Sequence, residues 1–251
     1  MKKKVLLTLV AVLAVMGITK NVYAETSAYY TTQNGIELTR DEYKFLTTFY
    51  GKGYLDIMTQ AMYDEFISED VMNSDVEIIT YDEPQLALLN PGMSPRSTSH
   101  STSAKTVQIG KACLPTKCIM TITNTWHVDP SVRSWDNIGA YLSGVSLDSY
   151  SHAYVSSDEG TVPYYNWQTE PDGVGNSVKL PDTGSSLIVS MGFKVTKGGT
   201  VFGSYQHAMQ NTTLLNSQNY NLDIIGYGNV FDYYGNAVGI YDGMNGVDIT
   251  V

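Results

Sequence analysis

Trp126, His127, Asp129, Arg133, Trp135 and Asp136 fall within eleven residues of one another. A tryptophan beside aspartates is a common way to stack on a sugar ring and hydrogen-bond its hydroxyls, and such residues concentrate in loops held by a rigid scaffold. The competing reading makes Trp126 a strand-end residue that plugs a core and leaves its neighbours in water. Tyr205 and His207 share one face of an expected strand. His207 has the proton equilibrium of a general base and the ring nitrogens of a metal ligand, although a lone histidine on an apolar strand is also an ordinary structural residue. A metal site would need His127, His152 and His207 to converge. Asp242, Asn245 and Asp248 offer oxygen ligands in a glycine-containing loop, as calcium requires, but their spacing departs from the EF-hand pattern and the same residues make plain turns. Calcium at those three residues is the one cofactor entertained.

For covalent catalysis the sequence offers no G-x-S-x-G elbow, and it contains no H-E-x-x-H, P-loop or dinucleotide fingerprint. Asp158, Glu159, Glu170 and Asp172 would cleave a glycoside only at the right carboxylate separation, which spacing in sequence does not give.

These residues need elements to position them. The chain opens with Lys2, Lys3 and Lys4, an apolar run over 5–18, and Val22-Tyr23-Ala24 before a cut, the layout of a secretory signal peptide over residues 1–24. The apolar run is too short for a spanning helix, so no transmembrane segment is expected after cleavage. Removing four lysines and no acid moves the formal charge from −10 to about −14. Such a chain repels phosphate backbones, and no cluster of Lys and Arg offsets this, so nucleic acid is excluded as a partner. Export also suits a disulfide between the two cysteines, Cys113 and Cys118.

Residues 25–89 read as a helical segment. Thr39 and Glu42 form a capping box before Tyr43, Leu46 and Phe49 or Tyr50, Gly51 and Gly53 are read as stops, and a second helix starts at Thr59 and carries Tyr63, Phe66 and Ile67. One strand is expected at 76–81. Residues 90–104 are rich in Ser, Thr and Pro and read as a linker, with His100 in it. From 105 to 251, short β-branched and aromatic runs broken by Gly, Asn, Asp and Pro predict strands near 105–111, 118–126, 137–145, 151–156, 187–195, 200–208, 220–225 and 246–251. Leu187, Val189, Met191, Phe193 and Val195 alternate strictly, and Lys197-Gly198-Gly199 reads as a hairpin turn into the next strand. The expected fold is therefore mainly β: a C-terminal antiparallel β-sandwich or jelly roll with a small N-terminal helical segment.

The stretch from Thr123-Asn124-Thr125-Trp126 to Ser134-Trp135-Asp136-Asn137-Ile138-Gly139, with Gly203-Ser204-Tyr205-Gln206-His207-Ala208 and Asp242-Gly243-Met244-Asn245-Gly246-Val247-Asp248, resembles secreted proteins of Gram-positive bacteria whose activity is uncharacterised. The resemblance implies a bacterial exported origin and no chemistry. The 19 tyrosines add a residue type common at recognition surfaces and equally at home in strands. The function expected is a non-enzymatic secreted or cell-surface-associated binding module for a glycan, a protein or another extracellular ligand. The alternatives are a secreted hydrolase using His127 or His207 with nearby acids, and a toxin-like or matrix role.

Overall fold

Thr39 and Glu42 make the capping box that their spacing predicts. The Thr39 hydroxyl accepts from the Glu42 N–H at 3.3 Å, and the Glu42 carboxylate accepts from the Thr39 N–H at 2.7 Å. The computed structural model describes residues 28–82, 104–211, 221–224, 228–232 and 245–251. Ahead of the box, Tyr30–Thr31 (β1) pairs with Glu37–Leu38 (β2). The helix it opens, α1 (Arg40–Phe49), buries Leu46 and Phe49 and stops before Gly51, whose φ of +86° suits glycine. Gly53 does not act as a stop. It begins a short helix, α2 (Gly53–Ile57), and lets that backbone sit on the sheet, since a Cβ there would lie 2.6 Å from the Tyr154 ring. Thr59 caps α3 (Gln60–Ser68), which buries Phe66 and leaves Ile67 exposed. The Tyr63 hydroxyl donates to Glu42 at 3.0 Å and ties the two capped helices together.

These helices cover the outer face of a six-stranded antiparallel sheet. Its order is β3 (Asp75–Asp82), β4 (Lys105–Cys113), β5 (Lys117–Trp126), β11 (Ile188–Thr196), β7 (Leu147–Ser157) and β8 (Gly160–Pro163). Leu46, Phe49, Tyr54, Leu55 and Phe66 form one apolar cluster with Ala112, Ile119 and Tyr154 of the sheet. The strand expected at 76–81 is β3, paired with β4 along its length, so the N-terminal segment contributes a strand to the sandwich as well as a cover. Of the expected linker only Ala104, which is buried, lies among the described residues. Polar ties reinforce the seam. Lys194, on the outer side of β11, donates to Glu65 and at 2.9 Å to Glu69. Lys117 adds a bond to Glu69 at 2.6 Å. Two cations thus meet an acid at the C-terminal end of α3, where the helix dipole would otherwise oppose it.

The inner face packs against a five-stranded antiparallel sheet of order β15 (Asn245–Thr250), β12 (Thr200–Gln206), β6 (Trp135–Ser143), β10 (Gly173–Lys179) and β9 (Trp167–Glu170). Val107, Ile109, Met120, Ile122, Met191 and Phe193 meet Ile138, Leu142, Val174, Val201 and Val247 in the core between the sheets. The architecture is a mainly β, antiparallel sandwich with a small helical cover. A separate two-stranded ladder joins β13 (Asn221–Ile224) and β14 (Gly228–Asp232).

The expected hairpin at Lys197-Gly198-Gly199 does not form. β11 and β12 lie in different sheets, and the turn carries the chain across the sandwich. Both strands have an apolar inner face, so facing each other across the core buries more than pairing edge to edge. Gly199 is required there, because a Cβ would sit 2.1 Å from the Ser143 carbonyl oxygen. Three strands, β8, β9 and β10, lie between 157 and 187, where no strand is expected from the sequence. Cys113 and Cys118 are disulfide-bonded and stand opposite each other in the β4–β5 register.

Candidate functional site

In β5, Cys118, Met120, Ile122 and Trp126 belong to the inter-sheet core, which puts Trp126 at the inner end of the strand. The same alternation turns Asp136 of β6 and Tyr205 of β12 inward, and Lys105 pairs with Trp126 across β4 and β5. Trp126, Asp136, Tyr205 and His207, all singled out from sequence, therefore meet inside one end of the sandwich. Asp136 accepts from the Tyr205 hydroxyl, from His207 Nδ1 at 3.0 Å and from the Ala208 N–H at 2.9 Å. The Trp126 indole N–H donates to the Tyr205 hydroxyl at 3.3 Å. Lys105 Nζ lies 5.3 Å from the Trp126 ring and 5.6 Å from the Tyr205 ring, within cation–π range of both.

This cluster is enclosed. Trp126 is 4% exposed and Lys105, Asp136, Tyr205 and His207 are at or below 1%. The expectation that Trp126 stacks on a sugar fails because neither ring face is open. His207 as the base of a hydrolase fails for the same reason, since a substrate cannot reach it.

The other candidates are dispersed. His127 Nε2 shares a 2.6 Å hydrogen bond with the Thr106 hydroxyl. Asp129 stands 3.9 Å from Arg133, which donates to the carbonyls of Pro181, Thr183 and Gly184 and so holds the loop between β10 and β11. His152 packs on Tyr54 and Tyr50 under the helices, so the three histidines do not converge. Asp158 is bound by the Ser185 backbone and hydroxyl, which hold its carboxyl below the usual range, and Glu159 accepts from Thr183. Both acids therefore serve the same loop. Of the calcium candidates, Asp242 lies outside the described residues, the backbone of Asn245 opens β15, and Asp248 is exposed on that strand. Among the described residues no three His, Cys, Asp or Glu are grouped to hold a metal.

The exposed chemistry is aromatic and lies where the sheets diverge. Between His152 and Tyr150 the β7–β11 register shifts at a bulge: Gly192 pairs with His152, Phe193 with Tyr150, and Ser151 is left over. The extra residue returns Tyr150 to the side of Phe193, the inner side. Trp167 of β9 pairs with Asn176 and packs against the same core from the other sheet. The two rings stack at 4.6 Å and 22°, bridging the open edges of the sandwich. Tyr150 is 51% exposed and Tyr165, in the loop joining β8 to β9, is 80% exposed. Trp135 adjoins this rim, edge-on to Tyr164 at 6.1 Å, while the Tyr164 hydroxyl is fixed on the Lys179 carbonyl at 2.6 Å. Sequence reasoning noticed the tyrosines but not Trp167, whose partner depends on a one-residue bulge.

No protein-family model and no curated protein matches the chain. Among solved structures, the KRT10-binding region domain of the pneumococcal serine-rich repeat protein PsrP is similar at 13% identity, covering 71% of this chain and 99% of that one with a TM-score of 0.33. A likeness this distant says nothing of what this chain binds. No helix among the described residues is long and apolar enough to cross a membrane.

Proposed function

We propose that this protein is a secreted or cell-surface binding module that takes an extracellular glycan on the aromatic rim of its sandwich. The observation that carries the reading is the stacked pair of Tyr150, half open to solvent, and the partly buried Trp167, beside the exposed Tyr165. Such rings, held by a rigid scaffold, offer flat apolar faces to the C–H side of a sugar at little conformational cost. The exposed polar residues of edge strand β9, Gln168, Thr169 and Glu170, stand next to them as hydrogen-bonding partners for hydroxyls. A surface acid can also accept from a sugar hydroxyl, whereas the acidic chain disfavours anionic partners. Enclosure of Asp136 and His207 weighs against the hydrolase alternative.

A glycan array with the purified protein tests the proposal, followed by titration of the best ligand. Trp167→Ala and Tyr150→Ala are expected to weaken binding roughly tenfold or more each, about 1.4 kcal/mol. The exposed Ile67, on the helical cover, serves as the control position. Binding unchanged in both aromatic variants would refute the rim as the site, and a blank array would favour a protein ligand.

A further inference from the structure

The enclosed cluster at Lys105 has a separate meaning, independent of the rim. β4 and β15 belong to different sheets, yet two observations set them side by side. Lys111 Nζ donates to the Thr250 carbonyl at 2.7 Å, and Lys105 Nζ lies 5.6 Å from the ring of Tyr205, the register partner of Asn245. Lys105 precedes Lys111 by six residues and Asn245 precedes Thr250 by five. β4 and β15 therefore run in the same direction, with Lys105 and Asn245 at one level. Val247 and Ile249 of β15 belong to the core, and Asn245 stands two residues before Val247. At that level a lysine amine and a buried carboxylate, Asp136, share a water-excluded setting walled by Trp126 and Tyr205, and the ladder sets Asn245 opposite Tyr205.

We propose that Lys105 and Asn245 condense into an intramolecular amide that ties β4 to β15. The Lys105 nitrogen forms a bond to the carboxamide carbon of Asn245, and the bond from that carbon to its own nitrogen breaks. Asp136 takes a proton from the attacking amine and returns it to the leaving nitrogen, which departs as ammonia. No atom changes oxidation state. Asp136 suits the role of proton carrier because three donors, Tyr205, His207 and the Ala208 N–H, fix its carboxylate in place. Fixed neighbours and exclusion of water are the conditions under which an otherwise slow acyl transfer becomes an intramolecular one. The link would join strands that no β-ladder joins, closing the sandwich at its open seam.

Intact mass of the reduced, denatured protein decides the matter without any variant. The expected mass is lower than the sequence mass by one ammonia, and tandem fragmentation should yield a branched peptide containing Lys105 and Asn245. Lys105→Met should restore the full mass, and Asp136→Ala should leave the strands unlinked. The full sequence mass in the wild type would overturn the proposal. So would a loss that maps to another pair, or loss of one water joining Lys105 to Asp136. If Asp136→Ala still loses ammonia, the proton-carrying role assigned to Asp136 is wrong.

Discussion

His152 should make the fold sensitive to mild acid. The imidazole is sealed between the helical cover and β11, with the Tyr54 ring 4.8 Å away, the Tyr50 ring 5.5 Å away and the Tyr154 ring at 5.8 Å. Gly192 beneath it leaves room for nothing larger than hydrogen, because a Cβ there would meet the ring at 2.3 Å. Its one hydrogen bond is to the Ser151 hydroxyl at 3.0 Å. Burial lowers its pKa to about 3. In the unfolded chain a histidine titrates near ~6.5, so the unfolded state binds a proton that the native state refuses. A group with a depressed folded pKa contributes its full stability above the unfolded value and loses it as pH falls toward the folded one. Between those limits the loss is ~1.4 kcal/mol per pH unit, which makes about 2 kcal/mol at pH 5 relative to pH 8.

Denaturant titrations of the wild type and of His152→Phe at pH 8, 6.5 and 5 measure this directly. Phenylalanine keeps a flat ring in the slot and takes no proton. It gives up the bond to Ser151, an offset of ~1 kcal/mol that is the same at every pH. The expected result is a wild-type stability that falls between pH 6.5 and 5 and a variant that stays flat over that interval. Parallel decline of the two proteins would show that His152 is not the group responsible and would refute the reasoning from its burial.

Two further outcomes follow from the same seam and from the β4–β5 hairpin. Lys194→Met should cost about 1 to 3 kcal/mol in a denaturant melt, below the 3 to 5 typical of a fully buried broken pair, because Glu65 is exposed and Glu69 keeps Lys117. Burial raises the pKa of Glu69, but bonds from Lys117 and Lys194 outweigh this and lower it. Its contribution is therefore present above the unfolded carboxylate value near ~4.3 and fades below it. Burial likewise lowers Lys194 but its bonds to Glu65 and Glu69 raise it overall, so that contribution is present below ~10.4 and is lost as pH climbs through the raised value. Reducing Cys113–Cys118 should lower stability by at most ~2 to 3 kcal/mol without unfolding the sandwich, since the loop it closes is short and the β4–β5 ladder remains. Loss of cooperative unfolding on reduction alone would contradict this.

Much of the fold was legible because its signals are local. The Thr39 and Glu42 pair fixes a helix start within three residues, and the alternation from Leu187 to Val195 fixes the inner face of β11. What failed depends on partners far away in the chain. Gly198-Gly199 satisfies the rule for a hairpin and equally the rule for a sheet crossing, and only the competition for core area decides between them. β8 and β9 carry Gly, Pro and acids, as in Gly160, Pro163 and Glu170, because both are short edge strands with little to bury. Period-two reasoning along an apolar run is safe; reasoning about which run pairs with which is not.

The candidate site divides along the same line. Trp126 and Asp136 were singled out as loop chemistry and Tyr205 and His207 as one face of a strand, and the four converge inward. The alternation Cys118, Met120, Ile122, Trp126 already carried that direction, since residues separated by even steps share a face with the core. A buried cluster of a lysine, an aspartate, a histidine and two aromatics is costly to assemble unless each polar group is satisfied, and the satisfied bonds of Asp136 show how the cost is met. The exposed rim obeys the opposite logic. Tyr150 reaches Trp167 only because Ser151 is an extra residue in β7, and a bulge is a relation between two strands, invisible along one. The proposed recognition surface therefore sits where alternation breaks, and the enclosed chemistry where it holds.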